Sequence, residues 1–189
     1  MSRFLHLIFV LKVVTTLGQT LQPIELPNMM DGKMISITPS QGCQGVVVIF
    51  TDLNCPYDQH YQDRIKALSE KYASRISFFL ITANPTNASD EIKLMAAYQK
   101  WGVSIPYLSD KKQIAMAGLN AKKTPEAVLL KPMGNGLSTI YQGAIDDNPQ
   151  VHHDTGNNFL DEAIQSLLAG QVPKVANERV IGCTIRKLN

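Results

Sequence analysis

One short stretch carries the clearest chemical signal in this chain of 189 residues. In TDLNCPYD (51–58), Cys55 is followed by Pro56 and Tyr57, and Asp58 stands where a Cys-x-x-Cys motif would have its second cysteine. A cysteine thiolate attacks disulfides and is oxidised by peroxides, so the stretch could support thiol redox chemistry. The chain has two other cysteines, Cys43 and Cys183. A redox site built on Cys55 would therefore take its partner sulfur from elsewhere in the chain or from another molecule.

A buried strand and a helix are predicted on either side of Cys55. GVVVIF (45–50) is a continuous apolar run rich in β-branched residues, which is typical of a strand buried on both faces. Apolar residues then recur at helical spacing, at Tyr61, Ile65, Leu68 and Tyr72. Free N–H groups and the positive dipole end at the first helical turn favour thiolate over thiol. We therefore expect Cys55 to be reactive; the alternative is an inert cysteine in the core.

The three residues after Cys55 have simpler interpretations beside the chemical ones. Pro56 suits the first helical turn, where its missing N–H costs nothing. Tyr57 could shield the sulfur or be an ordinary surface aromatic residue. A carboxylate at Asp58 would stabilise the first turn but would oppose thiolate formation at Cys55. Helix stabilisation is the simpler expectation for Asp58, ahead of proton transfer.

Cys183 is the better candidate partner for Cys55. Cys43 precedes the predicted strand and Cys55 follows it, and six residues of strand span about 20 Å. A disulfide tolerates a Cα separation of only about 7 Å. Residues 171–189 are predicted to form a C-terminal tail that is free to fold back over Cys55. Two alternatives stay open: Cys183 anchors the tail as a buried thiol, or it pairs with Cys43.

The rest of the pattern predicts one α/β domain. Asp31-Gly32 indicates a hairpin within 28–38, and RISFFLITA (75–83) a second buried strand. Helices are predicted next from a cap at Ser89 or Asp90 to a stop at Gly102, in a short stretch after Asp110, and as an amphipathic helix over 157–169. Extended segments are predicted between them, in IPYL, TPEAVLL and LSTIYQG. This order implies a mixed central sheet with helices on both faces. The strand that leads directly into Cys-Pro and a helix resembles the thioredoxin fold.

Three segments resemble a thioredoxin-like, peroxiredoxin-related group of the alkyl hydroperoxide reductase/thiol-specific antioxidant (AhpC/TSA, or redoxin) superfamily. FTDLNCPYDQHYQDR (50–64) is similar to that group's NHCPY…YEDR segment. TPEAVLL…YQGAIDDNPQ (124–150) is similar to its TPE-V-L-D…Y-GAIDDN stretch, and GCTIR (182–186) to its C-terminal GCSIKW. The three segments lie in the same order and span most of the chain.

The resemblance implies a thioredoxin fold with an N-terminal hairpin extension, a C-terminal tail and a reactive cysteine at position 55. It also implies a cis peptide bond between Thr124 and Pro125 that faces this cysteine. The peroxiredoxin signature has Pro and Thr seven and three residues before the cysteine, whereas this chain has Val48 and Asp52 there. A peroxide and a disulfide are therefore both retained as candidate substrates.

Residues 1–18 are predicted to be a secretory signal peptide, with Arg3 before an apolar run and small residues before the cleavage site. The alternative is a buried N-terminal helix or strand. Cleavage would remove Arg3 and Lys12 from 18 bases, which leaves 16 bases and 16 acids. The remaining 19–189 would form a single redoxin domain, periplasmic or secreted, without a stable membrane anchor.

Charge and histidine patterns argue against two other kinds of function. Basic residues are few and are interspersed with acids, whereas a nucleic-acid-binding protein needs a concentrated basic face. AIDDNPQVHHD (144–154) gathers acids with His152 and His153 but lacks the spacing of known metal motifs. We therefore expect no nucleic acid, no metal and no cofactor.

The sequence as a whole predicts a peroxiredoxin-like thiol oxidoreductase. Cys55 would attack a disulfide-bearing protein or a peroxide, and Cys183 or an external reducing thiol would resolve the intermediate. One alternative is a thioredoxin-fold binding or structural module that is catalytically inactive. Another is a metal carrier that uses His152 and His153.

Overall fold

The computed structural model describes residues 21–84, 86–150 and 155–188. Its strands are β1 Glu25–Pro27, β2 Met34–Ser36, β3 Gly45–Phe50, β4 Ile76–Thr82, β5 Tyr107–Ser109, β6 Lys123–Thr124, β7 Glu126–Met133, β8 Gly136–Gly143 and β9 Cys183–Thr184. Its helices are α1 Pro56–Tyr72, α2 Ala88–Trp101, α3 Ile114–Gly118 and α4 Phe159–Leu168. Five of the strands form a mixed sheet in the order β5-β4-β3-β7-β8, and two pairs, β1-β2 and β6-β9, lie outside it.

Strand β3 lies at the centre of the sheet and directs the chain to Cys55. It pairs in parallel with β4 and antiparallel with β7, and all six of its residues are buried. Its alternating side chains enter two apolar clusters, one on each face of the sheet. Helices α1, α2 and α4 contribute to one cluster, and α3 and the β1-β2 pair to the other. The predicted α/β fold, a mixed sheet flanked by helices, is confirmed.

The predicted hairpin and helix caps are present, with shifted boundaries. The β1-β2 hairpin turns at Gly32, whose φ of 69° is left-handed, but its strands begin at Glu25 and not at 28. Helix α2 is capped by Asn87, whose side chain accepts a hydrogen bond from the backbone N–H of Asp90. The prediction that Ser89 or Asp90 caps this helix is wrong, because both lie inside it. The side chain of Asp110 accepts hydrogen bonds from N–H groups of α3, as expected for its cap.

The C-terminal segment from 171 folds back along β8, the edge strand of the sheet. The backbone of Gln142 in β8 exchanges hydrogen bonds with Ala176 and Glu178, and a Cβ atom at Gly143 would overlap the backbone of Glu178. The chain then crosses to the end of the sheet where β9 pairs with β6. A glycine at 143 therefore allows the tail to approach β8 closely.

Two sequence predictions fall on parts of the chain that are not described. The proposed signal peptide, 1–18, and the histidines of the metal-carrier hypothesis, His152 and His153, lie outside the described residues. Among the described residues, none of the helices has the length and apolar character of a membrane span. The described part of the chain also has no cluster of three or more His, Cys, Asp or Glu side chains placed to hold a metal ion.

Candidate active site at Cys55 and Cys183

Cys55 forms a disulfide bond with Cys183. Their Cα atoms lie 6.2 Å apart, although 128 positions separate them in the sequence. Cys55 is the N-cap residue of α1, and its side chain is almost completely buried. Cys183 is only partly buried and lies in β9. The structure therefore brings together the two cysteines for which the sequence left several pairings open, and Cys43 is the free cysteine.

The strand pair β6-β9 positions the Cys183 side of the disulfide. Thr124 lies opposite Cys183 in this antiparallel pair, and the Cys55 Sγ atom is 3.9 Å from the carbonyl oxygen of Thr124. The peptide bond between Thr124 and Pro125 is cis. Thr124 and Pro125, which the resemblance places opposite Cys55, are thus at the disulfide in the structure.

Gly182 packs closely against the backbone of Thr124. A Cβ atom at this position would overlap the carbonyl oxygen of Thr124, so only glycine fits without a shift of one strand. Two residues after Cys183, the side chain of Ile185 is buried in the apolar cluster that contains α3. Together these contacts hold β9 in one position relative to the end of α1.

Further hydrogen bonds fix the chain after β9. Gln113 donates from its side chain to the carbonyl of Arg186 and accepts from the N–H of Leu188. The side chain of Asn84 accepts from the N–H of Arg186. Gln113 has a left-handed backbone, with φ of 54°, at the start of α3. Sequence reasoning missed Gln113 and Asn84, because no local pattern shows that a distant tail will contact them.

Asp58 is the most unusual side chain near the disulfide. Its side chain is buried, and neither carboxyl oxygen has a hydrogen-bond partner among the described residues. Burial raises the pKa of this carboxyl group to about 8. The hydroxyl groups of Thr51 and Thr124 lie beside it and oppose the shift, without the geometry of full hydrogen bonds. The simple helix-stabilising role that the sequence suggested requires a carboxylate, whereas burial favours the neutral acid at this position.

Pro56 and Tyr57 have modest roles in the geometry. Pro56 is exposed in the first turn of α1, where its lack of a backbone N–H costs no intrahelical hydrogen bond. Tyr57 is half-buried.

A buried ion pair anchors α1 below the site. Arg64 in α1 donates to the carboxylate of Asp146 and to the backbone carbonyl of Asn148. Tyr61 donates its hydroxyl to the same carboxylate, at 2.9 Å, and the Arg64 guanidinium lies 3.8 Å from the centre of the Tyr61 ring. The sequence alone does not identify Asp146 as the partner of Arg64. Asp146 belongs to the GAIDDN segment, so this loop is fixed against the helix that carries Cys55.

Comparison with known proteins finds similar chains among solved structures. No family model and no curated protein matches this chain. An uncharacterized conserved protein from Geobacillus kaustophilus is 25% identical, with a TM-score of 0.78 over 90% of this chain and 92% of its own. Protein SMc02350 from Sinorhizobium meliloti 1021 is 24% identical, with a TM-score of 0.75 over 92% of this chain and 95% of its own.

A third structure shares the fold at lower sequence identity. A secreted Mycobacterium tuberculosis disulfide oxidoreductase homologous to E. coli DsbE is 15% identical, with a TM-score of 0.53 over 77% of this chain and 95% of its own. The protein has the thioredoxin fold. In this thioredoxin-fold chain the second sulfur of the disulfide comes from the C-terminal tail and not from the third residue after the first cysteine.

Proposed function

We propose that this thioredoxin-fold protein is a thiol–disulfide oxidoreductase whose redox pair is Cys55 and Cys183. The observation that carries the proposal is the disulfide between these residues at the first turn of α1. Free N–H groups at a helix start stabilise a thiolate, so reduced Cys55 would be nucleophilic. The M. tuberculosis neighbour is a disulfide oxidoreductase, and its activity supports the same reaction class for this chain.

The reaction cycle follows from the positions of the two sulfurs. In the reduced protein, the Cys55 thiolate attacks one sulfur of a substrate disulfide, and the other substrate sulfur leaves as a thiolate. Cys183 then attacks the Cys55 sulfur of the mixed disulfide and releases the second substrate thiol. An external thiolate then attacks the Cys183 sulfur of the resulting disulfide, and a second exchange returns both cysteines to thiols.

A disulfide-bearing polypeptide fits the site better than a peroxide. In the oxidised protein, the extended segment around Cys183 pairs with β6. A cysteine-containing strand of the substrate that takes the same place beside Thr124 can reach Cys55. The positions that carry Pro and Thr in peroxiredoxins are Val48 and Asp52. Both observations favour disulfide exchange over peroxide reduction as the proposed activity.

The proposed location is the periplasm or the extracellular space. The apolar N-terminal segment of 1–18 supports export. A disulfide that joins distant parts of the chain also suits an oxidising compartment.

A trapping experiment tests the proposed nucleophile. Starting from a Cys43→Ser background, the reduced Cys183→Ser variant should form a stable mixed disulfide at Cys55 when it is mixed with oxidised glutathione. The matched Cys55→Ser variant keeps only Cys183. This thiol should react at least tenfold more slowly, because it does not lie at the start of a helix, where free N–H groups stabilise a thiolate. Intact-mass spectrometry over time measures both rates. If Cys55 in the Cys183→Ser variant does not react, the protein is a binding or structural module and the proposed function is wrong.

A further inference from the structure

Asp58 occupies the place of a second active-site cysteine, and its surroundings single it out. It is the third helical residue of α1, and Cys55 is the N-cap. Side chains at these two positions are neighbours, as the reciprocal contacts of helix capping boxes demonstrate. The Thr124 hydroxyl lies beside the Asp58 carboxyl, while the Thr124 carbonyl lies beside the Cys55 sulfur. The carboxyl group therefore lies close to the Cys55 side of the disulfide.

The two cysteines of the disulfide differ in their exposure to solvent. Cys183 is partly exposed, whereas Cys55 is 3% exposed. An external thiolate therefore reaches the Cys183 sulfur more easily, and the Cys55 sulfur is the leaving group. A thiolate that forms there has little contact with solvent, so a proton reaches it most directly from a nearby acid group of the protein.

Asp58 is placed to supply that proton. Its side chain is 1% exposed, and both its oxygens lack hydrogen-bond partners among the described residues. An unpartnered buried carboxyl is costly for stability, so such a group calls for an explanation. A carboxyl that must alternate between acid and carboxylate provides one.

Burial is the largest influence on Asp58 and favours its acid form. The charge of Asp52, in the connection from β3, also raises the pKa of Asp58, whereas the backbone N–H of Asp52 lowers it. Tyr107 of β5 is buried, and its pKa is raised by burial first and by the charges of Asp52 and Asp58 in addition. The hydroxyl groups of Thr51 and Thr124 act in the opposite direction but more weakly than burial.

We propose that the Asp58 carboxyl group donates a proton to the Cys55 sulfur when the Cys55–Cys183 disulfide is reduced, and takes it back when Cys55 next attacks a disulfide. In the reductive step the external thiolate bonds to the Cys183 sulfur. The bond between the two protein sulfurs breaks, its electron pair passes to Cys55, and the Asp58 proton moves to that sulfur. The products are a mixed disulfide at Cys183, a Cys55 thiol and an Asp58 carboxylate, so charge and protons balance. This inference rests on the proposed function and adds the acid–base group to it.

The pH profile of disulfide reduction tests the proposal. The oxidised Cys43→Ser protein is reduced with dithiothreitol between about pH 5.5 and 9, and each rate constant is divided by the fraction of dithiothreitol present as thiolate. The normalised rate should fall as pH rises through the pKa of Asp58. In Asp58→Asn it should be independent of pH and, at acid pH, roughly 100-fold lower, the lower end of what general acid catalysis contributes.

Asp52→Asn is the matched control, because it removes a nearby carboxylate and leaves Asp58 in place. It should keep a falling profile, with the fall displaced to lower pH because the Asp52 charge no longer raises the pKa of Asp58. The proposal is overturned if Asp58→Asn and the parent have the same profile. A disulfide that dithiothreitol does not reduce in any variant would contradict the proposed function itself. That outcome is distinguishable from failure of the Asp58 proposal, in which reduction occurs with the same pH profile.

Infrared difference spectroscopy on the unsubstituted protein covers the case in which Asp58→Asn does not fold. Reduction near pH 7 should remove the carbonyl band of a buried protonated carboxyl group. The absence of such a band in the oxidised protein would refute the proton transfer without any variant.

Discussion

At the scale of single residues, Asp58 shows why residue type and position do not determine a role. An aspartate in the first turn of a helix ordinarily interacts with the free N–H groups there as a carboxylate. In this fold Thr51 and Thr124 enclose the same position, and the side chain is removed from solvent. Burial then dominates the electrostatics, and the pKa of Asp58 is raised to about 8. The same residue therefore destabilises the fold when it is ionised.

Stability should depend on pH through this residue. The native pKa of Asp58 is above its value of about 3.9 in an unfolded chain, so the native state holds one more proton between the two values. The free energy of unfolding should therefore decrease as pH rises towards about 8, with a contribution of up to about 1.4 kcal/mol per pH unit. Urea unfolding of the oxidised protein across this range measures the slope. Asp58→Asn should reduce the slope, whereas Asp52→Asn should keep it; equal slopes for all three proteins would contradict this account of Asp58.

At the scale of elements, the site depends on contact between two very short strands. Strands β6 and β9 have two residues each, so the pairing has few backbone hydrogen bonds of its own. The close approach of Gly182 to Thr124, the burial of Ile185 and the hydrogen bonds of Gln113 complete the contact. The disulfide therefore forms only when the tail lies in this one position.

Gly182→Ala should weaken the disulfide without removing either sulfur. The added methyl group overlaps the Thr124 carbonyl, and such overpacking typically costs about 1–3 kcal/mol. In a glutathione redox buffer, the equilibrium constant for closing the Cys55–Cys183 bond should decrease roughly tenfold or more. Quantification of reduced and oxidised protein after acid quenching and alkylation gives this constant.

Gly32→Ala is the control for that substitution. Gly32 has a left-handed backbone, so alanine strains the β1-β2 turn, but nothing lies within 4 Å of the added atom. This variant should lower overall stability and leave the disulfide equilibrium unchanged. An unaltered equilibrium in Gly182→Ala would show that the tail does not need the close approach.

At the scale of the whole molecule, the sequence predicted the architecture better than the site. The buried runs that became β3 and β4, the helical spacing after Cys55 and the glycine stop of α2 are local patterns, and each element is present. The thioredoxin fold itself came from the resemblance of segments far apart in the chain. Local patterns could not indicate which residues would enclose Asp58 or receive the tail, because those contacts join positions distant in sequence.

The pairing of the cysteines illustrates the same limit. Strand geometry could argue against a bond between Cys43 and Cys55, since the predicted strand separates them. It could not establish that the tail returns to α1, which depends on the fit of Gly182 and Ile185. In the folded chain, segments 128 positions apart share one covalent bond. A whole-molecule property, the path of the tail, thus determines the chemistry available to Cys55.

Peptide mapping by mass spectrometry tests the central claim most directly. The fully reduced, unsubstituted protein is exposed to one equivalent of oxidised glutathione, its remaining thiols are alkylated, and its peptides are assigned. A reversible Cys55–Cys183 disulfide, with Cys43 alkylated and the bond lost again after reduction, is the predicted result. A free and slowly alkylated Cys55 beside a Cys43–Cys183 bond would contradict the proposed redox pair.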